Sequence, residues 1–127
     1  MSLLAAAVLL VASEAPVMVV SAPENEYDIG YAELVSGDAR GALEAIENCD
    51  KLPESDPARQ INHAVALASV GELDGARDRF AAAARNADRL ELQTSTGDWV
   101  DSKVLARRGL AMLESGNFRG YEALAVR

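Results

Sequence analysis

The sequence predicts an all-α fold, and three observations carry that prediction. Half of the 127 residues are hydrophobic, yet 24 are alanine and only six are aromatic. A core of small and aliphatic side chains suits closely packed helices better than sheets. Helix punctuation is the second observation: Asp56-Pro57 offers an N-cap carboxylate followed by a proline at N1, where the missing N–H costs nothing. The third is self-similarity, which fixes an architecture before any local feature does. GYAELVSGDARGALEAIENC, residues 30–49, aligns with AVALASVGELDGARDRFAAA, residues 64–83. The alignment pairs Gly30 with Ala64, Gly37 with Gly71, Ala42 with Ala76, Ile46 with Phe80 and Cys49 with Ala83, each pair 34 residues apart.

The pairing has a physical rationale. Gly37 and Gly71 stand where a helix ends on a left-handed residue, and Asp38 and Glu72 favour the amino terminus of the helix that follows. The alanines let paired helices approach closely. A third copy follows in GLAMLESGNFRGYEALAVR, where Gly109, Met112, Gly116 and Phe118 take the places of Ala64, Leu67, Gly71 and Leu73. Gly116 lies 45 residues after Gly71, so 11 residues are inserted before the third copy. Over roughly residues 25–125 the chain resembles the tetratricopeptide repeat, a helix-turn-helix unit of this period, in the form of a small exported bacterial member. The resemblance implies a solenoid of about three repeats over residues 23–127, close to the practical minimum at which stacking supplies a core.

Taken in order, the elements begin with residues 1–22, MSLLAAAVLLVASEAPVMVVSA, whose apolar run from Leu3 to Ala12 has the length of a signal-peptide core. Ser13, Glu14 and Pro16 interrupt it before it could span a bilayer. The expectation is export to the periplasm or medium; an uncleaved membrane anchor and a buried first helix of a cytoplasmic protein are the rival readings. The repeats imply helices at about 25–36, 39–50, 57–70, 73–88, 102–114 and 118–125, the fifth capped by Asp101 or Ser102 and the sixth degenerate, with Tyr121 in place of alanine. The insertion, RLELQTSTGDWVDS, alternates Leu90 and Leu92 with polar residues ahead of a Ser95-Thr96-Gly97-Asp98 turn and Trp99-Val100. Two readings stay open there: a short β-hairpin between repeats two and three, or the fourth helix running on to Gln93.

In the resembled family the first helix of each repeat lines a concave groove that holds a partner's segment. Carried onto this chain, the groove positions include Tyr27, Tyr31 and Leu34 from repeat one, Ile61, Asn62 and Val65 from repeat two, and Lys103, Arg107 and Leu110 from repeat three. Most are apolar, which implies an apolar segment of a protein partner. Residues 1–22 themselves are one candidate occupant. The family's carboxylate-gripping subset would use Asn62, Lys103 and Arg107, but Tyr27 and Tyr31 replace its leading Lys and Asn. Trp99 is a candidate hot spot on the insertion. A degenerate last helix should also leave apolar surface around Leu110, Leu113, Tyr121 and Leu124 for a partner or a second copy to cover.

Charge narrows the partners. Twenty acidic against 12 basic residues give a net charge of −8, which repels nucleic acid and anionic lipid. Residues 23–60 alone carry −7, and residues 61–127 balance to zero. An enzyme is not expected. The single histidine, His63, sits beside Ala64 at a packing position, and Cys49 occupies the place of a small buried residue. The sequence contains no phosphate-binding glycine loop, metalloprotease motif or nucleophile elbow. No metal or cofactor is implied. Two function classes remain: an adaptor holding a partner segment in its groove, and a structural component that stacks on itself.

Overall fold

Left-handed glycines set where the first helices start and stop. The computed structural model describes residues 28–116 and 124–127. Residues 1–22, Tyr27, Phe118 and Tyr121 therefore lie outside the described residues. Helix α1 (Tyr31–Ser36) starts later than the expected residue 25, because Gly30 adopts φ 73° and cannot be a helical residue. The Asp28 carboxylate accepts a hydrogen bond from the Gly30 amide at 2.8 Å. A Cβ at Gly30 would sit 3.0 Å from the backbone of Ala42, so glycine is needed both for conformation and for close approach.

The 34-residue recurrence is a recurrence of backbone geometry. After α1, Gly37 at φ 84° donates to the Leu34 carbonyl and Asp38 donates to that of Glu33. After α3 (Pro57–Ser69), Gly71 at φ 84° donates to Ala68 and Glu72 to Leu67, the same Schellman closure. Asp38 and Glu72 then take nearly the same dihedrals, φ −92°, ψ 75° and φ −84°, ψ 72°, to launch α2 (Ala39–Glu47) and α4 (Leu73–Arg85). The aligned pairs Ala42 with Ala76 and Ile46 with Phe80 are all fully buried.

Two helices end earlier than the repeat predicts. Helix α2 stops three residues short of Asp50 because Arg59, nearly buried, reaches back from α3 and donates to the carbonyls of Ile46, Cys49 and Leu52. A charged fork thus satisfies carbonyls that a longer helix would have used internally. Cys49 consequently lies beyond the helix and is half-buried, not the fully buried residue expected. Helix α4 stops at Arg85, since Asn86 turns extended and its side-chain Nδ2 donates to the Ser55 carbonyl and the Gln60 side-chain oxygen.

Of the two readings of the insertion, the hairpin is the one that forms. Strand β1 (Glu91–Gln93) pairs antiparallel with β2 (Trp99–Asp101), with Glu91 opposite Asp101, Leu92 opposite Val100 and Gln93 opposite Trp99. Gly97 donates to the Thr94 carbonyl at 3.0 Å and Thr94 to that of Asp98 at 2.9 Å, with Gly97 at φ 88°. This is a type I turn followed by a left-handed glycine, the usual three-residue hairpin loop. Asp101 ends the hairpin and opens α5 (Ser102–Ser115), accepting from the Lys103 amide at 2.8 Å and the Val104 amide at 3.3 Å. Its carboxylate also accepts from Arg89, which offsets the like charges of Glu91 and Asp101 facing one another. Partial desolvation pushes the Asp101 carboxyl up, but the Arg89 bond and the two backbone amides outweigh it and hold it below the ordinary carboxylate value.

The described chain is thus helical with one small two-stranded sheet. Helix α3 is central, packing against α1, α2, α4 and α5, and α4 packs against α5. Among the described residues no helix is long and apolar enough to cross a membrane. Of the expected helix over 118–125 only Leu124 and Ala125 are among the described residues: Leu124 lies in a 3-10 turn, Ala125 is non-helical, and Val126, one residue beyond, forms an antiparallel bridge with Thr94.

Candidate functional site

Residues 124–127 occupy the face that the sequence assigned to a partner. The segment lies beside the hairpin, with the Ser95 amide donating to the Ala125 carbonyl at 3.2 Å and the Arg127 amide to that of Gln93 at 3.1 Å. Those bonds leave the N–H and C=O of Val126 pointing away from the hairpin. Asn62 of α3 receives them. Its side-chain oxygen accepts from the Val126 amide at 2.8 Å, and its Nδ2 donates to the Val126 carbonyl at 2.7 Å. One side-chain amide therefore treats Val126 as a neighbouring β-strand would, with one donor and one acceptor against the same residue. The second Nδ2 hydrogen goes to the Ile29 carbonyl at 2.9 Å. Every polar valence of Asn62 that matters here is filled by the chain itself.

Side chains follow the backbone into the groove. Ala125 and Val126 are fully buried and Leu124 nearly so, whereas Arg127 is exposed and lays its guanidinium 5.0 Å from the centre of the Tyr31 ring, a cation–π contact. The groove residues named from the sequence accordingly divide into two sets. Leu34, Ile61, Asn62 and Val65 are buried, and Asn62 in particular is a fully enclosed structural amide and not a group facing solvent. Tyr31, Lys103 and Leu110 are half-buried, and Arg107 is exposed. Among the described residues no hydrogen bond links Lys103 or Arg107 to Asn62, whose amide is committed to Ile29 and Val126.

The apolar surface expected around Leu110, Leu113 and Leu124 is largely covered. Leu113 and Leu124 are both buried and Leu110 is half-buried, a correction to the bare patch predicted there. The segment 124–127 was missed because its register partners are remote: Asn62 lies 64 residues away from Val126. The local hint is the β-branched Val126 after a stretch too short for a stable isolated helix. Trp99 is the largest exposed apolar side chain, at 67% exposure, on β2 opposite Gln93.

Two clefts lie elsewhere among the described residues. A cleft of about 320 Å³ lies between the end of α1 and the later turns of α3, lined by Leu34, Val35, Gly37, Val65 and Ser69 among others. It sits one turn along α3 from Asn62, and Val35 on its rim is 45% exposed. The second is a polar cleft of about 170 Å³ lined by Glu47, Glu54, Arg59, Gln60, His63 and Arg79. His63 is half-buried there, and burial, reinforced by the Arg79 charge, lowers its pKa from the ordinary 6.5. The folded chain then resists a proton that the unfolded chain accepts, so the contribution of His63 is present above pH 6.5 and lost as pH falls below it. The stability advantage of the wild-type chain over His63→Gln, measured by urea unfolding, is expected to shrink between about pH 7 and pH 5. An advantage constant across that range would show that His63 does not titrate differently on folding.

Among the described residues no group of three or more His, Cys, Asp or Glu side chains is placed to hold a metal ion. Comparison with protein-family models, with curated proteins and with solved structures finds no match for this chain.

Proposed function

We propose that the chain is a protein interaction module, a short solenoid of tetratricopeptide type that holds an extended segment of a partner protein. The observation that carries this reading is the way Asn62 and the hairpin edge together grip the main chain of Val126 from both sides. Main-chain contacts of that kind hold any extended backbone and leave the choice of partner to the side-chain pockets. The solenoid assignment is supported by the matched Schellman closures at Gly37 and Gly71 and the matched burial of Ala42 with Ala76.

Self-stacking, the other class, loses its expected surface because Leu113 and Leu124 are covered within the chain. Export belongs to the proposal through residues 1–22 alone, and fractionation of cells expressing the full gene tests it. For the adaptor itself, a photo-crosslinking residue at Gln93, on the strand beside the groove, is expected to yield adducts with a different protein in cells. The same probe at Arg40, on the exposed side of α2, serves as control. Adducts only with the chain itself would favour self-association, and heterologous adducts from both positions alike would remove the assignment of this face.

A further inference from the structure

We propose that the polar cleft between α2, α3 and α4 is a binding site for a small zwitterion of the amino-acid class, a molecule carrying a carboxylate and an ammonium group a few atoms apart. The site is separate from the hold on Val126, so its test and the Gln93 crosslinks fail independently. Four segments build it. One side of α3 supplies Arg59, Gln60 and His63, where spacings of three and four residues bring side chains together. Arg79 comes from α4, Glu47 from the last turn of α2 and Glu54 from the loop that follows. Arg59 is 7% exposed and gives three of its five N–H groups to the carbonyls of Ile46, Cys49 and Leu52, neutral partners that leave its charge without a carboxylate. Among the described residues it forms no ion pair, and neither does Arg79. Gln60 is 8% exposed, and its side-chain oxygen accepts from Asn86 Nδ2 at 3.1 Å, which fixes the orientation of the amide. Both hydrogens of its Nε2 are thereby left for the cleft, since no group among the described residues accepts them. A buried cation and a buried amide donor that border a cleft are groups a ligand's carboxylate would satisfy.

The rim decides the ligand's charge. Glu47 and Glu54, both exposed, set two carboxylates against the guanidiniums of Arg59 and Arg79, while burial, reinforced by the Arg79 charge, keeps His63 neutral at pH 7. The lining thus carries no net charge. That balance disfavours a dianion such as phosphate and favours a ligand that brings one charge of each sign. The carboxylate belongs with Arg59, Gln60 and Arg79, and the ammonium with Glu47 and Glu54. A cleft of about 170 Å³ holds about six groups of water size at about 30 Å³ each, the bulk of a short amino acid.

The test titrates the full chain by NMR with three zwitterions of increasing charge separation, free glycine, β-alanine and γ-aminobutyrate, and with acetate, ethylammonium and inorganic phosphate as single-charge or dianion controls. At least one zwitterion is expected to shift the Gln60 side-chain amide and His63 ring signals in a saturable way, and to bind about tenfold or more tighter than any control, the effect of one lost charge-assisted contact. Unmoved signals with all three zwitterions into the millimolar range overturn the proposal. Acetate or phosphate binding as tightly as the best zwitterion overturns it as well, since the rim carboxylates would then select nothing. Arg79→Gln and Glu54→Gln remove one charge from each end, and neither side chain carries a hydrogen bond of the fold. Each is expected to weaken the best zwitterion about tenfold, with circular dichroism confirming that the helices persist. Unchanged affinity in either folded variant refutes the assigned end, and with it the zwitterion site. Should Arg79→Gln unfold, Glu54→Gln and the wild-type selectivity series decide by the same criteria.

Discussion

Replacing Phe80 by alanine is expected to lower the unfolding free energy by about 3–5 kcal/mol, as large-to-small changes at enclosed aromatic sites do. Among the described residues Phe80 is the largest fully buried side chain, and it lies on α4 at its contact with α5. Its ring fills the space that Gly109 leaves open: a Cβ at Gly109 would lie 2.4 Å from the ring carbons. The pair therefore predicts a coupled response. Gly109→Ala raises helix propensity by about 1 kcal/mol, yet it is expected to destabilise, because overpacking of an enclosed contact costs about 1–3 kcal/mol. In a Phe80→Leu background, where the ring is gone, the same substitution should cost much less. Urea unfolding of the four proteins gives the coupling energy, and strictly additive effects would show that the ring and Gly109 do not constrain one another.

That contact also shows what the sequence could and could not convey. Gly109 falls on the same repeat position as Gly30 and Ala64, so the demand for a small residue was visible in the 34-residue spacing. Helix ends written in one or two residues were equally visible. Asp56 accepts from the Arg59 amide at 2.9 Å with Pro57 behind it, and Gly37, Gly71 and Gly116 all take positive φ at the ends of helices. Ends fixed by a distant group were not. Arg59 closes α2 from 13 residues beyond Ile46, and no local pattern distinguishes such an arginine from one on a solvated face. The start of α1 was misplaced for a related reason: a glycine can be read as a packing residue or as a left-handed one, and Gly30 is both.

The groove illustrates the same limit at larger scale. Tyr31, Leu34, Asn62 and Val65 were singled out as surface for a partner, and the structure does gather Tyr31 and Asn62 around one extended segment. The segment belongs to this chain. A single bridge at Val126, one residue beyond the helix expected over 118–125, has too little pattern to be read from sequence. A family-derived groove position and a buried structural amide look alike in sequence, since both require a polar residue on the inner side of the helix.

Asn62→Ala is the second large effect expected, about 3–5 kcal/mol, since it strands three buried backbone groups whose loss of partners costs about 1–3 kcal/mol each before relaxation. Those groups are the Val126 amide and the carbonyls of Val126 and Ile29. Asn62→Asp separates hydrogen bonding from shape. The carboxylate keeps the acceptor for the Val126 amide but turns two donor contacts into oxygen facing oxygen, so at neutral pH it should be at least as destabilising as alanine. Its enclosure and the two facing carbonyls raise the carboxyl pKa in the folded chain above the unfolded value. The penalty relative to wild type is then fully present above the folded pKa and shrinks as pH falls through it, because the protonated acid restores one donor. Acid should thus narrow the gap between Asn62→Asp and wild type and leave the gap for Asn62→Ala nearly unchanged. If both gaps ran parallel with pH in urea unfolding, Asn62 would be acting through volume alone, and its two-sided hold on Val126 would not be what fastens the segment to α3.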